Sequence, residues 1–302
     1  MKWKTSGLKQ TLWSLLICTF LTMPAAAVEN INGDLTWTGC GITRKAFMSE
    51  CAEAYLKQKG ITITLSGGGA TRGIREAAAG RADLGGSCRP ANPDLSDEEK
   101  GVKMTQVAWD ALVIIVHPDN PINNLTTDQV SAIFKGKMRN WKDVGGKIGK
   151  IKVVVRRGKI SGVGYMARKM LFNDANFNFY PRAISLKSSG PVEKAVEKTK
   201  NAIAITGVSS AIKRKVKILK LNGLDPTKAN IISAKYPYFR PLYLMTRGDP
   251  TGETRVFLDW ILSPAGQKVI SEQGTVNMAE GKDLFNKFKY WRHTELIRNY
   301  SK

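Results

Sequence analysis

Short apolar or β-branched runs alternate along this chain with stretches whose apolar residues recur every three to four positions. Leu35–Thr38 alternates and reads as a strand. Thr43 is placed to cap a helix carrying Phe47, Met48, Cys51, Ala54 and Tyr55 at close to helical spacing, with Gly60 to end it. Ile61–Leu65 is a second strand, Arg72–Ala79 a helix stopped by Gly80, and Ala82–Leu84 a short third strand. Ala111–Val116 is apolar at every position, the mark of a strand covered on both faces. A helix over Thr126–Phe134, a strand over Ile151–Val155 and a helix reaching Phe172 follow, then a helix over Val192–Thr199 and strands at Ala202–Ile205, Val216–Leu221 and Pro241–Met245. Helices at Gly252–Leu262 and Pro264–Gln273 close the pattern. Strand, Gly-bearing loop, helix, repeated, predicts an α/β protein with mostly parallel sheets and loops gathered at the carboxyl ends of the strands. No Ser/Gly/Pro-rich linker interrupts the pattern, so two lobes would require the chain to pass directly between them.

The amino terminus departs from this alternation. Lys2, Lys4 and Lys9 precede an apolar run from Leu12 to Met23, and Pro24-Ala25-Ala26-Ala27 supplies small residues for cleavage. This reads as a signal peptide over 1–27 and predicts a periplasmic or extracellular protein. The residue before Cys18 is Ile17, which argues against lipidation, and no later stretch is apolar for long enough to span a bilayer.

With 302 residues, 42% apolar and 24% charged, the composition is that of an ordinary globular chain. The charge is not ordinary: 47 Lys and Arg against 25 Asp and Glu give +22, or +19 once 1–27 is removed. Two histidines, His117 and His293, leave little room for His-rich metal sites or His-dependent catalysis, and no metal or cofactor is expected. Beyond residue 27 the cysteines are Cys40, Cys51 and Cys88, spaced 11 and 37 apart, which fits no zinc or haem template.

Several runs taken together carry a resemblance. They are Thr38-Gly-Cys-Gly-Ile-Thr43, Ser66-Gly-Gly-Gly-Ala-Thr-Arg-Gly-Ile74, Gly80-Arg-Ala-Asp-Leu-Gly-Gly-Ser-Cys-Arg89, Ala111–Pro121, Asn124–Gln129 with Ile133–Gly136 and Asn140–Gly145, Arg157–Gly162, and Pro237–Tyr243 with Phe257–Gln267. In this order, from about residue 35 to 275, the chain resembles the phosphate-type periplasmic solute-binding proteins of ABC transporters. The resemblance implies a type II periplasmic binding protein fold: two α/β lobes joined by two crossover strands and closing over an oxyanion. The expected organisation is lobe 1 over 28–114 and 240–302, the latter with a basic C-terminal extension, and lobe 2 over 115–239. The crossings are expected near Val113–His117 and Arg240–Leu244.

An anion enclosed in a cleft needs donors that replace its hydration, and helix N-termini supply free N–H groups and the positive end of a dipole. Helices that begin after Gly-bearing loops at Thr43, Thr71–Arg72 and Ser161–Gly162 meet that need. The resemblance maps ligand contacts onto Thr43 with the amides of Ile42 and Arg44, and onto Thr71, Cys88, Arg157, Ser161 and the amide of Gly162. Arg157 is assigned the cleft because its guanidinium fork suits two oxygens of a tetrahedral anion. Arg156, its strand neighbour, is assigned the outward face.

The chain departs from the family pattern at three places. Cys88 stands where Asp or Ser is common, Gly158 follows the cleft Arg where an acid is common, and Val163 replaces a Thr. Arg44, Arg72 and Arg89 are expected at the loop mouths, making the cleft more cationic. A disulfide between Cys40 and Cys88 is weighed against two packed thiols, with Cys51 in the core. The acidic run Asp94–Glu99 is read as a solvated loop or helix start.

The expected function is capture of inorganic phosphate or a related oxyanion for an ABC permease, by a monomer without catalytic activity. The alternative is an anion-sensing or envelope-surface interaction protein on the same fold, its basic surface meeting acidic envelope components. Nucleic acid is not an expected partner, since no binding module for it is recognisable. An esterase is disfavoured because no nucleophile–His pair or carboxylate cluster can be assembled from the cleft loops.

Overall fold

The computed structural model describes residue 1, residues 34–92, residue 94 and residues 96–288. The leader expected over 1–27 and the basic residues beyond 288 lie outside them.

The first lobe opens with β1 (Leu35–Gly39), α1 (Gly41–Thr43), a π-helical stretch (Arg44–Met48) and α2 (Ser49–Lys59). It continues through β2 (Ile63–Ser66), α3 (Ala70–Ala78) and β3 (Leu84–Ser87). Gly60, at φ 74°, takes the left-handed C-cap of α2 as the sequence requires. β4 (Val102–Val116) is a 15-residue strand, far longer than its apolar half suggests. Then follow β5 (Asn124–Leu125), α4 (Thr127–Lys135), β6 (Lys152–Arg156), α5 (Gly162–Phe172), β7 (Ile184–Leu186), α6 (Ser189–Lys198), β8 (Ala202–Gly207) and α7 (Val208–Ala211). The remainder is β9 (Lys217–Ile218), β10 (Lys220–Leu221), α8 (Lys228–Ile232), β11 (Phe239–Arg247), α9 (Gly252–Leu262), α10 (Pro264–Glu272), β12 (Val276–Asn277) and α11 (Leu284–Lys287). Thr126 and Gln129 form a reciprocal capping box at α4.

One sheet runs β2-β1-β3-β11-β4 and a second runs β4-β8-β6-β7. β1 pairs in parallel with β2 and β3, and β6 pairs in parallel with β7 and β8. The antiparallel pairs involve β4 and β11, the strands that join the lobes. β4 belongs to both sheets. Its residues 102–111 pair with β11, while Leu112–Val116 pair with β8. The handover therefore falls at Ala111–Leu112, and the return crossing ends at Tyr238, whose carbonyl accepts from Leu112 N at 2.7 Å. Both crossings lie earlier than expected: Val113–His117 is already in the second sheet and Arg240–Leu244 already in the first. The amino half of β4 carries Lys103, Thr105 and Gln106 among its apolar residues, which hides its strand character in the sequence. Trp37, Phe47, Tyr55 and Trp109 are fully or nearly buried in the first lobe, and Val154, Ile203 and Ala204 in the second. Cys51 is in the core, at 0% exposure. Among the described residues no helix is long and apolar enough to cross a membrane.

Candidate functional site

Three of the predicted loops converge at the carboxyl ends of the parallel strands. After β1, Cys40 is the N-cap of α1, its Sγ accepting from Thr43 N at 3.4 Å. Thr43 is fully buried and its hydroxyl donates to Cys40 O at 3.0 Å. The amide of Arg44 also returns to Cys40 O, at 3.1 Å, so it is engaged in the helix rather than free as expected. Ile42 is buried against the floor, within reach of Gly207.

α3 starts at Gly69, whose φ of 97° is open to glycine, and its amide donates to Gly39 O. Thr71 is half-buried and its hydroxyl donates to Ile160 O at 2.9 Å, across the cleft. From the second lobe, Ser161 is the N-cap of α5, but its hydroxyl donates to Gly158 O. The first-turn amides of this 11-residue helix are thus not capped by that side chain. Gly162 seats directly on the first lobe: a Cβ there would lie 2.5 Å from Cys88 Sγ and 2.9 Å from Ala70 Cβ. Only a residue without a side chain lets the first turns of α3 and α5 approach this closely.

One sequence expectation is corrected here, and one open alternative is decided. The buried guanidinium is that of Arg156, not Arg157. Arg156 is 8% exposed, donates from Nη1 to Leu186 O at 2.8 Å, and holds Nη2 3.4 Å from where a Gly69 Cβ would be. Arg157 is exposed, and its amide also donates to Leu186 O. Neighbouring strand-end residues do point opposite ways, but β6 ends on Arg156, which sets the phase one residue earlier. The disulfide weighed between Cys40 and Cys88 is not formed, and both are free thiols. They meet as a hydrogen-bonded pair, with Cys40 Sγ also held by Thr43.

That pair shares its protons unequally. Burial pushes the Cys40 thiol up, but hydrogen bonds from Cys88 and Thr43 and the nearby Arg240 charge outweigh it and hold it down at about 6. Its hydrogen bond to Cys40, with burial, pushes Cys88 well above the ordinary range. Of the two, Cys40 is the thiol that gives up its proton more readily, and Cys88 the one that retains it. Burial pulls Arg156 below its ordinary range, and the two sulfurs partly restore it.

The floor itself is a buried ion pair between the joining strands. Arg240 Nη2 donates to Asp110 Oδ2 at 3.0 Å, both side chains at 0% exposure. Arg240 Nη1 donates to Cys88 O, and Asp110 Oδ1 accepts from Ser209 N. Arg240 Nε and Ser209 Oγ are buried with no hydrogen-bond partner among the described residues. These residues carry no sequence signal of their own, because the pairing joins positions 130 apart.

The expected cationic mouth is only partly present. Arg44 and Arg72 are exposed, but Arg89 is buried and neutralised by Glu99, with contacts of 2.5 and 2.8 Å. Glu99 is thus a core partner, not part of a solvated acidic loop. Arg89 Nε donates to Ile160 O at 2.6 Å, joining Thr71 in clamping the second lobe's loop. Lys45 donates to Glu193 at 3.1 Å and Lys213 to Glu50 at 2.9 Å, so ion pairs also bridge the lobes. Among the described residues no cluster of three His, Cys, Asp or Glu side chains is placed to hold a metal.

Two α/β lobes on shared strands, with helix N-termini and a buried guanidinium facing one another, are the architecture of a solute receptor. Residues 38–265 match the PBP superfamily domain, and the chain belongs to that superfamily. It is similar to the phosphate-binding protein PstS of Bacillus subtilis, with 27% identity over 85% of each chain. It is similar also to the phosphate-binding protein PstS of Borreliella burgdorferi, with 32% identity over 60% of this chain and 68% of that one. A crystal structure of a phosphate ABC transporter substrate-binding protein from Clostridium perfringens, with bound phosphate, superposes with a TM-score of 0.73. It has 25% sequence identity and covers 81% of this chain and 99% of that one.

Proposed function

We propose that this chain is an extracytoplasmic receptor that captures phosphate, or an oxyanion of the same shape and charge, between its lobes and hands it to an ABC-type permease. The observation that carries this reading is the meeting of the α3 and α5 first turns at Ala70, Cys88 and Gly162, with the Arg156 guanidinium buried beside them. Backbone N–H groups at helix starts and a guanidinium fork are donors matched to a tetrahedral anion. The relatives named for phosphate binding support the same ligand.

In this reading Thr43, Thr71 and Ser161 surround the anion together with the Ile42 and Gly162 amides, and their hydroxyls turn from backbone carbonyls onto the ligand. Arg156 takes the place expected of Arg157. Arg240 Nε and Ser209 Oγ are further donors at the floor. No step of bond making or breaking is assigned: the protein binds and releases. The leader over 1–27 directs export.

The test is calorimetric titration of ligand-stripped protein with phosphate and sulfate. Arg156→Ala is expected to abolish phosphate binding, whereas Arg157→Ala leaves it within about threefold, as befits a solvent-screened charge. Retained affinity in Arg156→Ala, or none in the parent protein, overturns the reading.

A further inference from the structure

The positive charge of this chain is not spread over the molecule. Residues 112–238, between the two handovers, contain 24 Lys and Arg against seven Asp and Glu, a net +17 of the chain's +22. The described parts of the other lobe, 34–111 and 239–288, carry 16 of each sign apart from the undescribed positions between them, which are uncharged. Eighteen of the 24 are Lys, compact charges on flexible stems rather than planar forks.

Part of this excess gathers at the end of the second sheet opposite the cleft. β6 and β8 run in parallel, with Lys152 paired to Ala202 at their starts, while their far ends, Arg156 and Gly207, face the cleft. Around the starts lies a loop built on Asn140, which accepts from Lys142 N and Gly149 N, with Trp141 Nε1 donating to Asn201 O. The loop presents Lys142, Lys147 and Lys150 beside Lys152 and Lys200, all exposed. The acids facing them are Asp143, whose carboxylate accepts from Asn140 N, and Asp119, 3.8 Å from Lys200. At the tip, between Lys147 and Gly149, Ile148 is 85% exposed.

We infer that this end of the second lobe docks on an anionic lipid bilayer. Exposed lysines around an unburied aliphatic side chain match a charged headgroup layer above hydrocarbon. Nucleic acid asks for exposed stacking faces, and the aromatic residue of the loop, Trp141, is 3% exposed. Docked in this way, the protein is held at the membrane surface, and it must leave this contact before handing ligand to a permease, because its cleft lies at the other end of the sheet. The inference does not depend on which anion the cleft takes.

The experiment is co-sedimentation of the protein, as recovered from the extracytoplasmic fraction of cells that make it, with phosphatidylglycerol-containing vesicles and with phosphatidylcholine vesicles. Binding to the anionic vesicles alone is expected, weakening steeply as salt rises from about 0.05 M to about 0.5 M. The triple variant Lys147→Glu, Lys150→Glu, Lys152→Glu is expected to lose about tenfold or more in affinity, and Ile148→Asp about threefold or more. Phosphate titration and thermal melting of each variant verify its fold, and Lys→Gln versions replace any that melts early. Equal binding to neutral vesicles, undiminished binding of the triple variant, or binding to an acidic protein or RNA without binding to vesicles overturns the inference.

Discussion

Cys40 shows how one side chain carries both structure and electrostatics. It caps α1, and its thiol is held down in part by the nearby charge of Arg240, whose ion-pair partner is Asp110. Its thiol is held at about 6 against an ordinary 9.0, so between these values the native protein binds fewer protons than the unfolded chain. Stability therefore rises with pH across that window, and the contribution is gone below about 6, where both states are protonated. Cys88, raised, acts in the opposite sense above 9. Thiolate absorbance in the ultraviolet is expected to titrate with a midpoint near 6 in the parent protein and to vanish there in Cys40→Ser. In Cys88→Ser the midpoint shifts, because the principal hydrogen bond to Cys40 is altered; an unchanged midpoint would dismiss the coupled pair. The helix starts near Thr43, Thr71 and Ser161 were legible in the sequence, because Gly-bearing loops announce them; the cap of the first was not, since Cys40 takes the N-cap position expected of Thr43. The inward Arg was not: two arginines in succession give no phase, and only the last paired residue of β6 decides which one turns in.

At the level of elements, the contact between α5 and the first lobe and the pair between β4 and β11 govern the cleft. Gly162→Ala places a methyl group against Cys88 and Ala70, so the lobes cannot close fully. Phosphate affinity is expected to fall by about tenfold or more, in keeping with the about 1–3 kcal/mol of an overpacked contact, while the melting temperature barely changes. Affinity equal to the parent protein would show that closure at this contact is not required. Asp110→Ala leaves Arg240 buried without its counter-ion, which costs about 3–5 kcal/mol, read as a lower denaturant midpoint. The helix before Gly60 was legible from its end, since that glycine takes the left-handed C-cap. The first half of β4 and the Asp110–Arg240 pair were not, because one has mixed polarity and the other depends on strands distant in sequence.

For the whole molecule, ion pairs across the lobes add to the strands that join them. Lys45–Glu193 and Lys213–Glu50 are formed by residues other than those of the Ile160 clamp. Replacing both lysines by Met is expected to enlarge the radius of gyration of the ligand-free protein in X-ray scattering, with phosphate restoring the smaller value. An unchanged radius would mean that Ile160 and the strands alone hold the lobes together. The net charge was countable from the sequence, but its confinement to one lobe emerged only once the handovers in β4 and at Tyr238 fixed which residues belong together.

The strand that serves both sheets has a thermodynamic consequence. Leu112–Val116 cannot leave β8 without exposing the end of the ladder that Phe239 makes with Ala111, so neither lobe has a boundary along which it can melt alone. A chain with two lobes would then behave in a calorimeter as one cooperative unit, its van't Hoff and calorimetric enthalpies equal. Damage in one lobe would be felt as instability in the other.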